Sequence, residues 1–209
     1  MTGAGPSTEE LVVLLDEDGN RTGTALKAEV HSERTPLHLA FSCYLFDHAG
    51  RLLLTRRAEH KRTWPGVWTN SFCGHPAPDE ELAAAVRRRG RQELGIHIAQ
   101  PVLVLPGFRY EAVMPDGTRE NEMCPVYVAR AGEGELGPDP EEVAATAWAH
   151  WPAFSAGVLA GERDVSPWCR QQVAELVTAL GRSWDGTGPV TPADPGLLPA
   201  ASHPREAEQ

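Results

Sequence analysis

Apolar residues recur along the chain in short runs that turn residues separate, a pattern that predicts β-strands. LVVLLDEDGNRTGTAL has an apolar run, a turn cluster and a second short run, which predicts a β-hairpin. Two more strands are expected in LAFSCYLFD and RLLLTRRA, which HAG separates. The same pattern continues in HIAQPVLVL and ATAWAHW. It also continues in GFRYEAVM and RENEMCPVYVAR, which the turn signal PDG joins.

Three segments carry helix signals. DEELAAAVRRRGRQELG has an acidic first turn, many helix formers, and Gly95 at the C-cap position. PAFSAGVLAG and SPWCRQQVAELVTALG are also helical in pattern, and the second has Ser166 as N-cap and Pro167 at its first position. The mixture of many strands with a few helices predicts an α/β fold, a mixed β-sheet sandwiched between α-helices in a single domain.

The two ends of the chain differ in composition from its middle. We expect a flexible N-terminus over residues 1–9, one folded domain over residues 10–181, and a disordered tail over residues 182–209, which is rich in Pro, Gly and Ala. The start lacks the basic and apolar regions of a signal peptide, and no apolar run approaches the roughly 18 residues that span a bilayer. A cytoplasmic protein without a membrane partner is therefore expected.

Charge and cysteine content narrow the class of protein. The net charge of −10 argues against a nucleic-acid partner, although a local basic pocket remains compatible with it. The four cysteines are widely spaced and form no CxxC pair, so reduced thiols are expected rather than disulfides or a cysteine-rich zinc module. The oligomeric state stays open, with a monomer as the working expectation.

Two pairs of reactive side chains stand out. NSFCGHP places Cys73 two positions before His75, and RENEMCP places Glu120 two positions before Glu122. Alternate side chains of a strand share a face, so each pair is expected on one side of a sheet. Charged side chains on the solvent face of a surface strand are the alternative for either pair alone. Together, the pairs indicate a reactive site.

Two further histidines extend this set toward a metal site. His31 and His38 flank an irregular segment and would add two imidazoles to His75, Glu120 and Glu122. Three histidines and two carboxylates suit a divalent cation such as zinc or manganese. The spacing matches no known short metal motif, and isolated histidines are usually structural or surface residues, so both interpretations stay open.

One carboxylate of the first helix lies on the face that should be buried. Helical spacing places Glu93 on the stripe of Arg89, Val86 and Leu82. A buried charge must be paired or must bind a cation. Glu93 is therefore expected either in an ion pair with Arg89 or as a ligand of Mg²⁺, which takes few carboxylates and completes its shell with water and phosphate.

A local concentration of basic residues contrasts with the acidic chain. Arg56, Arg57, Lys61 and Arg62 lie along one strand end and the following loop, with Lys27 upstream. Arginine forks and lysine point charges could hold a diphosphate. A solvated basic face is the alternative.

Four segments match a known family in their residues: LHLAFSCYLFD, LLLTRRAEHKRTWPGVWTNSFCGHP, FRYEAVMPDGTRENEMCPVYVAR and SPW. Together they resemble the type 1 isopentenyl-diphosphate isomerases of isoprenoid biosynthesis, over residues 10 to 181. TNSFCGHP and ENEMCPV are highly specific for that family. The resemblance implies the Nudix fold, a mixed sheet between helices, and the interconversion of isopentenyl and dimethylallyl diphosphate.

The Nudix signature itself is depleted. Its matching positions are Gly74, Glu80, Arg88, Glu93, Gly95 and Ile96. Arg89, Gly90 and Gln92 depart from it, and two of these replace acidic residues. The loss weakens the metal cluster that a Nudix hydrolase uses to cleave a diphosphate, and so favours isomerase over hydrolase.

The resemblance also implies roles for individual residues. It implies two proton-transfer residues, Cys73 and Glu122, supported by Tyr110 and Trp168. It implies a Mn²⁺ or Zn²⁺ site at His31, His38, His75, Glu120 and Glu122, and Mg²⁺ held with the substrate at Glu93. It implies diphosphate contacts from Lys27, Arg57, Lys61 and Arg89.

Three other functions remain as alternatives. A Nudix diphosphohydrolase would release phosphate from nucleoside diphosphates. A zinc-stabilised binding module would use Cys73 and His75 as structural ligands and show no turnover. A thiol hydrolase built on the same two residues is disfavoured, because residues two apart on a strand do not reach the near-contact geometry required, and no oxyanion-hole motif is evident.

Overall fold

A computed structural model describes residues 10–132 and 134–202. The predicted flexible N-terminus, residues 1–9, lies outside the described residues. The described residues form twelve strands, four α-helices and two short 3₁₀-helices. The strands are β1 (Leu11–Leu15), β2 (Arg21–Leu26), β3 (His38–Leu39), β4 (Phe41–Phe46), β5 (Arg51–Arg57), β6 (Trp68–Thr69), β7 (Phe72–Gly74), β8 (Val102–Leu105), β9 (Arg109–Val113), β10 (Arg119–Met123), β11 (Val126–Arg130) and β12 (Val143–His150). The helices are α1 (Lys27–Val30), α2 (Leu82–Leu94), α3 (Trp151–Leu159) and α4 (Pro167–Leu180), and the 3₁₀-helices are Pro195–Leu197 and Ala200–Ser202.

The strands form two mixed sheets rather than one. The first has the order β2-β1-β3-β10-β9, and the second has the order β12-β5-β4-β11-β8, with β6 beside β5 and β7 beside β4. In each sheet one pair of neighbours is parallel: β3 with β10 and β4 with β11. The prediction of a mixed sheet between helices is confirmed for the second sheet, and the first adds a second layer of strands.

Two chain segments pass from one sheet into the other. β3 leads into β4 and β10 leads into β11, and the pairing stays parallel on both sides of the crossing. Backbone hydrogen bonds continue through it, from Ala40 N–H to the Met123 oxygen at 2.9 Å and from Ser42 N–H to the Pro125 oxygen at 3.0 Å. Side chains from both sheets therefore meet at this junction.

The central strand β4 is buried along its whole length, and its two faces serve different layers. Cys43 and Leu45 pack in the cluster that contains the apolar face of α2, whereas Tyr44 and Phe46 pack in the cluster that contains α3 and α4. This follows from the period of two in a strand. Burying a large apolar side chain of this kind contributes about 1.5–3 kcal/mol, so the two clusters dominate the stability of the domain.

The predicted helix ends are confirmed with small shifts. The second helix begins at Leu82, three residues later than the acidic run suggested, because the side chain of Glu81 caps it by accepting from the N–H groups of Ala83 and Ala84. It ends at Gly95, which has the left-handed φ of 65° that a C-cap glycine adopts. The fourth helix begins after Ser166, whose hydroxyl accepts from the Cys169 N–H at 3.3 Å.

The expectation of a disordered tail from residue 182 is wrong for residues 182–202. The indole of Trp184 packs edge-on against Phe46, with ring centroids 4.9 Å apart, and against Trp151 at 6.1 Å. Arg130 donates to the backbone oxygens of Gly186 and Gly188. Further along, Ala193 N–H donates to the Leu103 oxygen at 2.9 Å. One aromatic side chain and backbone hydrogen bonds hold a segment whose average composition indicates disorder.

Two further expectations concern thiols and membranes. All four cysteines are free thiols in the structure, and Cys43, Cys124 and Cys169 are buried. Within residues 10–132 and 134–202, the helices are too short or too polar to cross a membrane.

Candidate active site

A cavity of about 630 Å³ opens at the junction of the two sheets. The first sheet contributes side chains from β9 and β10, the second contributes side chains from β5 and β7, and the start of α4 closes one side. Its reactive lining includes Arg57, Cys73, His75, Tyr110, Glu122 and Trp168. Every residue to which the family resemblance assigned a role, except His38, lines this cavity, and His38 lies in the metal-binding group beside it.

Three histidines and one carboxylate form a cluster at this cavity. One ligand atom from each of His31, His38, His75 and Glu122 lies within 4.8 Å of the others. Nε2 of His75 lies 3.2 Å from Oε1 of Glu122, and Nε2 of His38 lies 3.4 Å from the same oxygen. Among the residues that the structure describes, the Nε2 atoms of His31 and His38 are buried without a hydrogen-bond partner. Unpartnered ring nitrogens facing a carboxylate suit a divalent metal ion.

Neighbouring backbone groups orient the imidazoles. Nδ1 of His38 lies 2.9 Å from the Pro36 oxygen, which leaves Nε2 for the cluster. Arg62 donates to the backbone oxygen of His31 at 3.0 Å. Burial lowers the pKa of His31 to about 4, so that imidazole is neutral, as a metal ligand must be.

Glu120 lies outside this four-residue group but is tied to it through a tyrosine. The hydroxyl of Tyr110 lies 2.9 Å from Oε2 of Glu120 and 2.9 Å from Oε2 of Glu122. The two carboxylates share a face of β10, as alternation predicted. Burial, and then the charge of Glu122, raises the pKa of Glu120 to about 7. Burial alone would also raise the pKa of Glu122, but the contacts with His38 and His75 hold it well below its usual value.

Cys73 enters the cavity from β7, which pairs with β4 so that Cys73 stands opposite Ser42. Its sulfur lies 3.3 Å from the hydroxyl of Ser42 and 3.4 Å from Oδ1 of Asn70. Burial raises the pKa of the Cys73 thiol to about 12. It therefore carries its proton at neutral pH and can donate it. β7 ends at Gly74, so His75 lies just after the strand. Cys73 and His75 nevertheless both line the cavity.

Trp168 is 2% exposed and still lines the cavity. Its ring centroid lies 5.7 Å from that of Tyr110 and 6.0 Å from that of Trp64. Its indole N–H donates to Oδ1 of Asn70 at 3.0 Å. The side chain is thus both a packed core aromatic and an electron-rich wall of the cavity.

Four cations also line the cavity: Lys27, Arg57, Lys61 and Arg89. Carboxylates hold three of them in ion pairs, whereas Arg57 donates to the Thr63 oxygen at 2.9 Å and lies over the Trp168 ring, 5.8 Å from its centroid. Of the other basic residues in the predicted group, Arg62 also lines the cavity. Arg56 does not, and its side chain pairs with Glu59.

Glu93 shows the ion pair that helical spacing allowed. Nε of Arg89 donates to Oε1 of Glu93 at 2.9 Å, and a second guanidinium nitrogen lies 3.3 Å from Glu142. Glu142 also pairs with Lys61. Burial raises the pKa of Glu93 despite the Arg89 charge. Both carboxylates line the cavity, so oxygen ligands for Mg²⁺ are present beside the cations.

Four residues around the site were missed by sequence reasoning. Asn70 and Ser42 contact the Cys73 sulfur, Gln172 contacts Ser42, and Glu142 pairs with two of the cations. A weak signal existed for two of them. Asn70 stands in the quoted NSFCGHP motif, and Gln172 is a polar residue four positions after Trp168, on the same face of a helix.

Comparisons with known proteins agree on a family. The NUDIX domain profile matches residues 36–169. The chain is 56% identical over 195 residues to an isopentenyl-diphosphate Delta-isomerase of Saccharopolyspora erythraea, covering 92% of this chain and 97% of that protein. It is 58% identical over 172 residues to an isopentenyl-diphosphate Delta-isomerase of Mycolicibacterium vanbaalenii, covering 82% of this chain and 94% of that protein.

Solved structures show the same fold at low sequence identity. DR0079 from Deinococcus radiodurans superposes with a TM-score of 0.61 at 20% identity, over 79% of this chain and 98% of that one. The MutT protein from Methanosarcina mazei gives 0.52 at 20% identity, over 68% of this chain and 94% of that one. With the curated relatives above half identity, the comparisons place the chain among the NUDIX domain proteins and, within them, in the isopentenyl-diphosphate Delta-isomerase family.

Proposed function

We propose that this cavity interconverts isopentenyl diphosphate and dimethylallyl diphosphate, with Cys73 and Glu122 as the two proton-transfer residues. The observation that carries the proposal is that a protonated thiol and an ionised carboxylate, supplied by different sheets, line one cavity together. Moving an alkene double bond by one position requires one proton to be added and another to be removed.

The protons balance between substrate and protein. In the direction in which the thiol donates, the S–H proton goes to the terminal alkene carbon and leaves a tertiary carbocation and a thiolate. The Glu122 carboxylate then takes a proton from the carbon on the other side of the cation, and the C–H electrons form the new double bond. The reverse reaction exchanges the two roles, so the assignment of donor and acceptor depends only on direction.

The aromatic wall suits a short-lived cation. The ring faces of Trp168 and Tyr110 are electron-rich, and an aromatic face attracts a cation more strongly than a neutral alkene. Both side chains are buried, which keeps water away from an intermediate that water would trap. The hydroxyl of Tyr110 lies within hydrogen-bond distance of both carboxylates of β10 and can donate its one hydrogen to either of them.

Two metal ions complete the proposal. His31, His38, His75 and Glu122 would hold Mn²⁺ or Zn²⁺, with Glu120 close by, and Glu93 would hold Mg²⁺ together with the substrate diphosphate. When bound, these ions supply positive charge that neutralises the diphosphate and keeps the neighbouring carboxylates ionised. Lys27, Arg57, Lys61 and Arg89 would contact the phosphate oxygens.

The test is incubation of the full-length protein with isopentenyl diphosphate in deuterated water, with Mg²⁺ and Mn²⁺ or Zn²⁺ supplied. We expect dimethylallyl diphosphate carrying solvent deuterium, and exchange in both directions. Phosphate release is measured in parallel with nucleoside diphosphates. Phosphate release without allylic product would replace the isomerase with the hydrolase, and an unchanged, unlabelled substrate would refute the proposed reaction.

A further inference from the structure

Helix α4 presents two buried side chains toward Cys73. Trp168 and Gln172 are four residues apart, so they lie on one face of the helix, and they are 2% and 0% exposed. Each begins a route of hydrogen bonds that ends at the Cys73 sulfur. The cavity chemistry described above does not use Gln172.

The first route passes through Asn70. Its Oδ1 accepts from the Trp168 indole at 3.0 Å and from the Thr69 hydroxyl at 2.8 Å. Its Nδ2 donates to the backbone oxygens of Cys43 at 3.1 Å and Phe72 at 2.8 Å, which fixes the orientation of the amide. The Cys73 thiol is a third donor to this oxygen, at 3.4 Å. An amide oxygen has two lone pairs, which the indole and the Thr69 hydroxyl already occupy, so the bond from the thiol is the weakest of the three. The thiol hydrogen is therefore only loosely held by Asn70.

The second route passes through Ser42, which is fully buried. Nε2 of Gln172 donates to the Ser42 hydroxyl oxygen at 2.9 Å, and the Tyr44 hydroxyl donates to Oε1 of Gln172 at 3.1 Å, which orients this amide. Because Ser42 accepts from Gln172, its own hydrogen points to a sulfur. Cys73 and Cys124 are both 3.3 Å away.

We propose that Gln172 is a positioning residue for proton transfer at Cys73: it holds the Ser42 hydroxyl so that Ser42 donates to the Cys73 sulfur, while the loosely held thiol hydrogen stays free for the substrate. A donor already aimed at the sulfur stabilises the charge that appears there when the proton leaves, and it needs no reorganisation at that moment. The inference deepens the proposed function and rests on it, since it assumes that Cys73 transfers a proton.

The test compares Gln172→Met with Gln171→Met in the full-length, metal-loaded enzyme. Methionine keeps the unbranched shape and removes the amide, and Gln171 is an exposed neighbour on the same helix. We expect Gln172→Met to lower kcat by roughly tenfold, the size of one hydrogen bond, with KM changed less than about twofold. Gln171→Met should leave both constants unchanged. Equal kcat in the two variants would overturn the proposal.

A double-mutant cycle tests whether the route is shared. Ser42→Ala should lower kcat at least as much as Gln172→Met, and the double variant should be no slower than Ser42→Ala alone, because Gln172 acts only through Ser42. Additive losses would show that Gln172 acts elsewhere. If Gln172→Met does not fold, Tyr44→Phe probes the same route with one oxygen removed and is expected to lower kcat by roughly two- to threefold. In that case an unchanged kcat would overturn the proposal.

A spectroscopic measurement separates this inference from the proposed function. The S–H stretching band of Cys73, isolated by infrared difference against Cys73→Ala, reports hydrogen bonds to the sulfur whether or not the residue is catalytic. We expect the band to shift in Gln172→Met and to stay in place in Gln171→Met. An unshifted band would refute the contact itself, whereas a shifted band with full turnover in Cys73→Ala would leave the contact standing and refute the proton-transfer role of Cys73.

Discussion

The indole nitrogen of Trp168 donates a hydrogen bond to the side-chain oxygen of Asn70 at 3.0 Å. This bond joins the start of α4 to the strand segment that carries Cys73, and it fixes the plane of the ring that walls the cavity. Removing the indole therefore removes three things at once: packing volume, an aromatic face and a hydrogen-bond donor to a fully buried amide. Kinetic and thermal measurements can separate these contributions.

Trp168→Phe should lower kcat moderately, and Trp168→Leu should lower it much more, with KM little changed in both. The quadrupole of the ring attracts the charged intermediate far more than the neutral substrate. Loss of the ring therefore raises the energy of the transition state and leaves substrate binding nearly unchanged. Both variants also lose the bond to Asn70, which costs about 1 kcal/mol of stability, and Leu adds a cavity cost of about 2–4 kcal/mol. Steady-state kinetics beside thermal melts check this. A destabilised Leu variant with near-normal turnover would leave Trp168 a packing residue only.

Cys73→Ala and Glu122→Gln should each lose nearly all turnover, because each removes one of the two proton-transfer groups. Incorporation of solvent deuterium into the substrate and product measures the remaining turnover of each variant. Cys124→Ala is the matched control for Cys73, since it removes a buried thiol that also contacts Ser42 but does not line the cavity. More than about a tenth of wild-type turnover in Cys73→Ala or Glu122→Gln would count against the proposed roles.

The histidine cluster should bind about one tightly held divalent ion per chain, which elemental analysis of the purified protein measures. The double variant His38→Ala and His75→Ala should lose that ion, because it removes two of the four converging ligands. His97→Ala, an exposed histidine outside the cluster, should keep it. Full occupancy in the double variant would place the ion elsewhere.

Metal-free protein should lose stability as the pH falls from about 6.5 to about 4. Burial lowers the pKa of His31 to about 4, so over this window the unfolded chain takes up a proton that the folded chain does not. The contribution is fully present above the unfolded pKa and is on the order of 3 kcal/mol. His38, His75 and Glu122 also face His31 and titrate, so they set the background slope, and the charge of Arg62 faces His31 as well.

Chemical denaturation of wild type and His31→Gln across this pH range measures the contribution of His31 as a difference. The variant should show a flatter dependence of the free energy of unfolding on pH between about 6.5 and 4. Parallel curves for the two proteins would show that His31 titrates normally in the folded state.

Removal of residues 183–209 should lower the melting temperature, because it uncovers Phe46 and Trp151 and removes two backbone oxygens, those of Gly186 and Gly188, to which Arg130 donates. Trp184→Ala alone should cost about 2 kcal/mol, and Leu197→Ala, at an exposed position, should cost little. Turnover per folded molecule should persist in all three variants, since these side chains do not line the catalytic cavity. An unchanged melting temperature for Trp184→Ala would mean that its contacts add nothing.

The sequence by itself determined the local structure and the chemical content of the site. The period of two in β4 and β10 and the caps at Gly95 and Ser166 depend on neighbours within a few residues, so pattern alone predicts them. Helical spacing likewise allowed the pairing of Arg89 with Glu93 as one of two alternatives. The motifs around Cys73 and Glu122 also identified the family, which more than 50% identity to curated isomerases then showed.

Only the tertiary structure decided which side chains touch. Asn70 and Trp168 are 98 residues apart, and Ser42 and Gln172 are 130 apart, so no local pattern relates them. The way in which the two sheets meet also decides that the metal-binding group contains Glu122 but not Glu120. It likewise brings Glu142 to Lys61. The tail shows the same limit: its composition predicts disorder, but a single indole and a few backbone carbonyls find partners that only the folded domain places within reach.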